Sequence, residues 1–173
     1  MIRVVFSNIN RFIIFTLLQV LIIQNINFGT YFVPMAQVII ILLLPLQLER
    51  VWVLLICFFV GLTLDPFYNQ QGLHSAAMVF LGFLRPFVLK AIAPREGYED
   101  FMKPTVQSMG IAWFATYSGL LIFGHHLFFF YLEIFRFNEF WSTMLRVLCS
   151  SVATFVLILI LQYLFYRNEK TVV

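Results

Sequence analysis

The chain is a succession of apolar runs, over about 11–26, 31–46, 51–65, 73–90, 106–124 and 142–166, parted by short polar interruptions. Lipid offers no partner to a backbone amide or carbonyl, so a segment that crosses it must be helical or part of a closed barrel. These runs are continuously apolar, without the alternation at period two that a barrel strand shows. The pattern therefore predicts an all-α integral membrane protein, a bundle of six transmembrane helices in a single polytopic domain over 1–173. Charge agrees. Asp, Glu, Lys and Arg make up 11% of the residues, against about a quarter in soluble domains, too little to cover a water-facing surface. The 22 Phe suit lipid-facing and interfacial surface.

Positive residues orient the bundle. With the N-terminus in the cytoplasm, Arg3, Arg11, Arg50, Lys90, Arg95, Lys103, Arg167 and Lys170 fall on or near the inner side. Arg136 and Arg146 fall outside, and Arg85 lies within the fourth run. An even number of spans keeps both basic ends inside, so the positive-inside rule predicts six spans, N-in and C-in. The net charge of +3 is spread over loops, not gathered on one soluble face, so nucleic acid is not an expected partner. Arg3 and Arg11 precede an apolar run as in a signal peptide. No small-x-small cleavage site follows it at Asn27-Phe28-Gly29-Thr30, and the run reads as a retained first span. Cys57 and Cys149 both lie in apolar runs and read as small core residues.

Few polar residues lie deep enough to need a reason. An ionisable side chain at the membrane centre costs about 2.5–3.5 kcal/mol on insertion scales. Asp65 closes the third run, four residues after Gly61 on the same helical face, where a small residue admits another helix. It reads either as an anchor for the outer loop or as an ordinary interfacial carboxylate. Arg85, followed by Pro86, lies about 18 Å along the fourth helix, past the midplane. Snorkelling to the inner interface is the expectation. The alternative is an interhelical hydrogen bond to freed carbonyls or to a polar group on another span. His125-His126 resembles a metal pair, but adjacent helical residues point about 100° apart, whereas a helical metal pair wants i, i+4 spacing. With His74, these histidines are expected at the outer interface. Glu133, Arg136 and Glu139 suggest local pairing on an interfacial helix. The face Phe128, Tyr131, Leu132, Phe135 could lie on the membrane or take a protein, and 127–135 could extend the fifth span or lie outside it. No Gly-x-Ser-x-Gly, Walker loop or zincin motif occurs, and no pair of intramembrane carboxylates faces each other for acid–base work.

From the second run onward the chain resembles the bacterial rod shape-determining MreD family, especially its Bacteroidetes-like forms. The resemblance rests on Phe59-Val60-Gly61-Leu62-Thr63-Leu64-Asp65-Pro66-Phe67 and on Gly72-Leu73-His74-Ser75-Ala76-Ala77. Pro34, Leu44-Pro45, Leu84-Arg85-Pro86-Phe87, Pro94-Arg95-Glu96-Gly97-Tyr98 and His125-His126 are also similar. Thr63 and Pro66 stand where aliphatic residues are commonest in the family.

The resemblance implies a non-enzymatic, multi-pass subunit in the bacterial inner (cytoplasmic) membrane, without cofactor or metal. Its partners would be an MreC-like bitopic protein, the actin-like MreB, and the RodA–penicillin-binding-protein complex that builds side-wall peptidoglycan, with membrane lipid around it. It also implies similarity in fold to the substrate-binding subunits of energy-coupling-factor transporters. Carried over by motif, Gly61, Asp65, Gly72 and His74 are the expected structural or partner-binding positions, with Arg85 and Pro86 beside them. Gly72 would permit a tight outer turn, and Asp65 would accept hydrogen bonds from the start of the fourth helix, whose positive dipole end faces it. Two other readings compete. One is a small-molecule-binding subunit of a vitamin transporter, for which Asn69, Gln70, Gln71 and His74 are the outward polar candidates. The other is a membrane enzyme acting on lipid.

Overall fold

The computed structural model describes residues 2–26, 29–98, 102–135 and 140–166. Arg136, Glu139, Arg167, Glu169 and Lys170, which carry part of the pairing and topology arguments above, lie outside the described residues. Every regular element among the described residues is helical. Helix α1 covers Ile2–Leu17 and runs on through a π-helical turn, Leu18–Ile22, and a 3-10 turn, Ile23–Asn25. Asn25 Nδ2 closes this end by donating to the carbonyls of Val20 and Leu21. Then come α2 (Val38–Leu42), α3 (Arg50–Leu64), α4 (Leu73–Ala91), α5 (Val106–Met109), α6 (Ile111–Ile134) and α7 (Phe140–Tyr166).

The stretch 31–46, expected as one helix, is helical only over Val38–Leu42. The reason is local. Pro34 and Pro45 bracket the stretch, and a residue before proline is pushed out of the helical region, which here affects Val33 and Leu44. The apolarity of the stretch reflects complete burial instead of a lipid-facing helix. From Met35 to Leu44 no residue is more than 5% exposed. The run 106–124 also differs from expectation. Gly110, at φ 82 and ψ 159, separates the single turn α5, capped by Thr105 Oγ1 accepting from Ser108 N, from α6. Helix α6 then continues without a break to Ile134, so 127–135 extends this helix.

Helices α3 and α4 form an antiparallel hairpin in close contact. A Cβ on Gly61 would fall against Ser75 Cα and lie 2.7 Å from the His74 carbonyl carbon. Two turns further along α4, a Cβ on Gly82 would lie 2.6 Å from Cys57 Sγ. Gly82 is also the residue whose carbonyl Pro86 deprives of a helical N–H partner. Despite that proline, α4 stays helical to Ala91. Helix α4 packs in turn on α6, and α6 on α7. The buried face of α6 is Phe114, Tyr117, Ser118, Leu121, Ile122, His125, His126, Phe129 and Phe130, a stripe repeating at steps of three and four. That register explains why His125 and His126 are fully buried, not interfacial: both fall on the stripe. His74, 1% exposed, is likewise internal.

Among the described residues two helices, Leu73–Ala91 and Phe140–Phe165, are long and apolar enough to cross a membrane. Arg11, near the Leu43 carbonyl at 3.5 Å, shares one end of the bundle with Arg50 and Lys90. The other end holds Asp65 and the α3–α4 turn, met by Gln24 of α1, whose Nε2 donates to the Phe67 carbonyl at 2.9 Å.

The hairpin contact yields a paired test. Gly61→Ala forces α3 and α4 apart and should destabilise the protein by about 1–3 kcal/mol, seen as a lower thermal midpoint in detergent. Gly119→Ala, where nothing lies within 4 Å of the added methyl, should leave the midpoint level or raise it. Equal behaviour of the two variants contradicts the close crossing.

Candidate functional site

Two buried polar clusters stand out, one at each end of the α3–α4 hairpin. The first is built on Asp65. It follows α3 directly, its N–H donating to the Gly61 carbonyl, and its own carbonyl accepts from Gln70 N at 3.0 Å. This folds the chain back through Pro66–Gln71 to Gly72, whose left-handed conformation (φ 86, ψ 8) starts α4 without the Cβ clash another residue would meet. The turn brings the Asp65 carboxylate over the first N–H groups of α4. Oδ1 accepts from His74 N at 2.8 Å, and Oδ2 accepts from Ser75 N at 3.3 Å and from Ser75 Oγ at 2.6 Å. A helix start leaves such N–H groups unpaired and carries partial positive charge, so a carboxylate there is doubly suited. Thr63 does not disturb the helix end, since its hydroxyl donates back to the Val60 carbonyl.

His74 joins this turn to α6. Its Nδ1 lies 3.3 Å from Asp65 Oδ1. Its ring sits between Tyr68, 4.5 Å away by centroid, and Phe129, 5.0 Å away. His125 stacks on the same Phe129 ring at 6.2 Å and touches His126 edge to face at 5.3 Å. Both ring nitrogens of His125 lack a hydrogen-bond partner among the described residues. No group of three His, Cys, Asp or Glu side chains comes together at metal-binding range among the described residues.

The second cluster serves the broken segment around α2. Arg85 is 2% exposed and does not snorkel. Its Nε donates to Tyr117 Oη at 2.9 Å, and Nη2 donates to the carbonyls of Leu44 (2.6 Å) and Pro45 (3.1 Å). Tyr117 Oη passes its own proton to the Leu42 carbonyl at 3.2 Å. The first half of the segment is held in the same way. Ser150 Oγ accepts from Val33 N and donates to the Tyr31 carbonyl. Thr154 Oγ1 accepts from Met35 N at 3.0 Å and lies 3.1 Å from His126 Nε2. Gln19 Oε1 accepts from Ala36 N at 2.8 Å, while Nε2 donates to Tyr68 Oη at 2.6 Å and reaches the Pro34 carbonyl at 3.4 Å. Side chains from α1, α4, α6 and α7 thus stand in for the helical bonds this segment lacks.

Of the positions picked out in the sequence, Gly61, Asp65, Gly72 and His74 meet in the first cluster, and Arg85 belongs to the second. Pro86 contacts neither through a hydrogen bond, having no N–H. Gln19, Tyr117, Ser150 and Thr154 were not singled out. The available signal was the i, i+4 spacing of Ser150 and Thr154 on one face of an apolar helix. Asn69, Gln70 and Gln71 do not line the cavity at this end of the molecule, which is walled instead by Gln19, Gln24, Asn25 and Tyr68 together with apolar neighbours. The aromatic face Phe128, Tyr131, Leu132, Phe135 lines a separate apolar groove with Phe80, Leu127, Phe140 and Met144. Glu133 pairs with Arg146 across to α7 at 2.9 Å. No protein family, curated protein or solved structure matches the chain.

The clusters predict distinct variant behaviour. Arg85→Met strips its bonds from the Leu44 and Pro45 carbonyls, and Tyr117→Phe orphans the Leu42 carbonyl and Arg85 Nε. At about 1–3 kcal/mol per group left without a partner, both should lower the thermal midpoint in detergent, and either variant as stable as the parent contradicts the cluster. Thr154→Val should destabilise where Thr154→Ser, which keeps the hydroxyl, should not. A Val variant as stable as the Ser variant contradicts the assigned bond to Met35 N.

Proposed function

We propose that this chain is a non-enzymatic, multi-pass inner-membrane subunit of the bacterial cell-elongation machinery, of the MreD kind, with six spans and both ends in the cytoplasm. It works by contact. It helps hold an MreC-like bitopic protein, MreB and the RodA–penicillin-binding-protein synthase in one assembly that maintains cell shape.

The observation that carries the reading is the α3–α4 turn. Gly61, Asp65, Gly72 and His74, the residues on which the resemblance rests, each have a defined place in one buried, hydrogen-bonded turn. A pattern of this kind, met by chance in an apolar helix, would not be expected to coincide with a carboxylate capping the next helix.

Membrane embedding is supported by α7. Its outward face is Leu145, Leu148, Val152, Val156, Ile160 and Leu164, all about half exposed or more. Its inward face carries Thr143, Ser150, Ser151, Thr154 and Gln162, all buried. A soluble amphipathic helix has the opposite arrangement. Helix α3 likewise exposes Val51, Trp52, Leu55, Phe58, Phe59 and Leu62, more contiguous apolar surface than a water-soluble monomer tolerates. The clustering of Arg11, Arg50 and Lys90 at one end supports the orientation, by the positive-inside rule.

Affinity purification of the tagged chain from detergent extracts should bring down an MreC-like protein, and a reporter fused after Val173 should be active only in the cytoplasm. An energising ATPase module or a bound vitamin in the eluate would instead indicate a transporter subunit, and periplasmic reporter activity would overturn the topology. Within this frame, Asp65→Asn turns one acceptor into a donor facing the α4 N–H groups. It should weaken rod-shape complementation while membrane insertion persists; full complementation removes Asp65 from any functional role.

A further inference from the structure

The cavity beside the Asp65 turn has a chemistry of its own. It measures about 340 Å³ and lies between the irregular end of α1, the extended stretch before α2, and Tyr68 of the α3–α4 turn. That size is at the small end for ligand sites, which run from about 300 to 1,000 Å³, and suits a single ring. The floor is formed by Gln19, which is 2% exposed and spends both ends of its amide on protein partners. Because Gln19 donates to Tyr68 Oη, the phenol's own proton is turned elsewhere, and it has no acceptor among the described residues. At the rim, Gln24 commits its Nε2 to the Phe67 carbonyl, and Asn25 commits its Nδ2 to Val20 and Leu21. Each keeps its side-chain oxygen as an unused acceptor. Phe32, 46% exposed, lines the cavity together with Tyr68.

Among the described residues no charged side chain lines the cavity. The end that carries Gln24 and Asn25 follows a π-helical turn, a distortion found frequently at functional sites. A site with two amide acceptors, one phenolic donor, an aromatic face and no charge selects a neutral ring bearing several hydroxyl or amide N–H donors. We propose that this cavity binds one uncharged sugar unit, its ring lying on Phe32 and its hydroxyls donating to Gln24 and Asn25 while Tyr68 donates to it. The ligand class does not rest on the proposed function; only the side of the membrane on which the cavity opens does.

The test uses the full chain in detergent micelles, with N-acetylglucosamine, glucose and galactose as separate probes and glucuronate as a charged control. Saturation-transfer difference NMR should show transfer from protein to at least one neutral sugar and little to glucuronate. Gln24→Ala and Phe32→Ala, both at partly exposed positions, should each cut the neutral-sugar signal several-fold while the thermal midpoint holds. Tyr68→Phe should do the same, but it also leaves Gln19 with one fewer acceptor, so the other two variants decide the matter if it is unstable. The proposal is overturned if no neutral sugar shows transfer, if glucuronate shows as much, or if the signal survives Gln24→Ala and Phe32→Ala combined. These results are independent of reporter location and of what co-purifies, so either proposal can fail alone.

Discussion

An unpaired backbone amide or carbonyl in a dry interior is the constraint around which this molecule is arranged. Ten consecutive buried residues, Met35 to Leu44, pass through the core with only a single short helix among them. A regular helix satisfies its own backbone; this segment cannot, because the prolines at its two ends stop the helix from extending. Its exposed peptide groups are met by Gln19 from α1, Arg85 from α4, Tyr117 from α6, and Ser150 and Thr154 from α7. Four helices are therefore positioned against one segment by directional bonds. The cost of losing any one bond is the cost of stranding a buried polar group, not the smaller net worth of a hydrogen bond in water.

Arg85 shows why the arrangement is sensitive. Its hydrogen-bond partners are two carbonyls and a phenol, with no carboxylate among them. A buried cation is tolerable only where its donors find acceptors, and Nε and Nη2 are spent here on the Tyr117 phenol and on two peptide carbonyls that lack helical partners. The two deficits offset each other. The Asp65 turn applies the same logic with opposite sign: a buried carboxylate faces the N–H groups of a helix start that would otherwise go unpaired.

How much of this could be read from the residues depended on whether the determining interaction was local. The Asp65 turn is local. A glycine one turn before a carboxylate, a short polar loop, and a glycine opening the next helix lie within fifteen residues, so the dipole argument could assign the carboxylate its partner. The segment 31–46 misled because apolarity reports burial without saying whether lipid or protein does the burying. Pro34 and Pro45 are the counter-signal, though a single proline close to a helix start is ordinary and taken alone argues little against a span. Arg85 was ambiguous because snorkelling and interhelical bonding depend on what lies beside it, and Leu44 is forty-one residues away. His125 and His126 were misplaced through length: only a continuous α6 puts them on the buried stripe. Gln19 carried no motif at all, since one amide in an apolar run becomes informative only when the group it pairs with is known.

If lipid surrounds this bundle, as proposed, apolar contact alone cannot decide which helices associate, because a leucine gains little by leaving hydrocarbon tails for a hydrocarbon core. Close packing and hydrogen bonds must then supply specificity, and they are found where that argument requires them. Gly61 lets α3 and α4 approach to backbone distance, and Gly82 makes room on α4 for the Cys57 side chain of α3. Ser150 and Thr154 of α7 face inward to bond the broken segment, while Leu145, Leu148, Val152, Val156, Ile160 and Leu164 face out. The polar groups of the two clusters are largely consumed by holding the molecule together. Outside the two clusters lie the cavity beside Tyr68, the apolar surface of α3 and α7, and the aromatic groove at the end of α6. On the proposed reading, the apolar surface is where other transmembrane helices would pack, with close fit in place of any gain from leaving lipid.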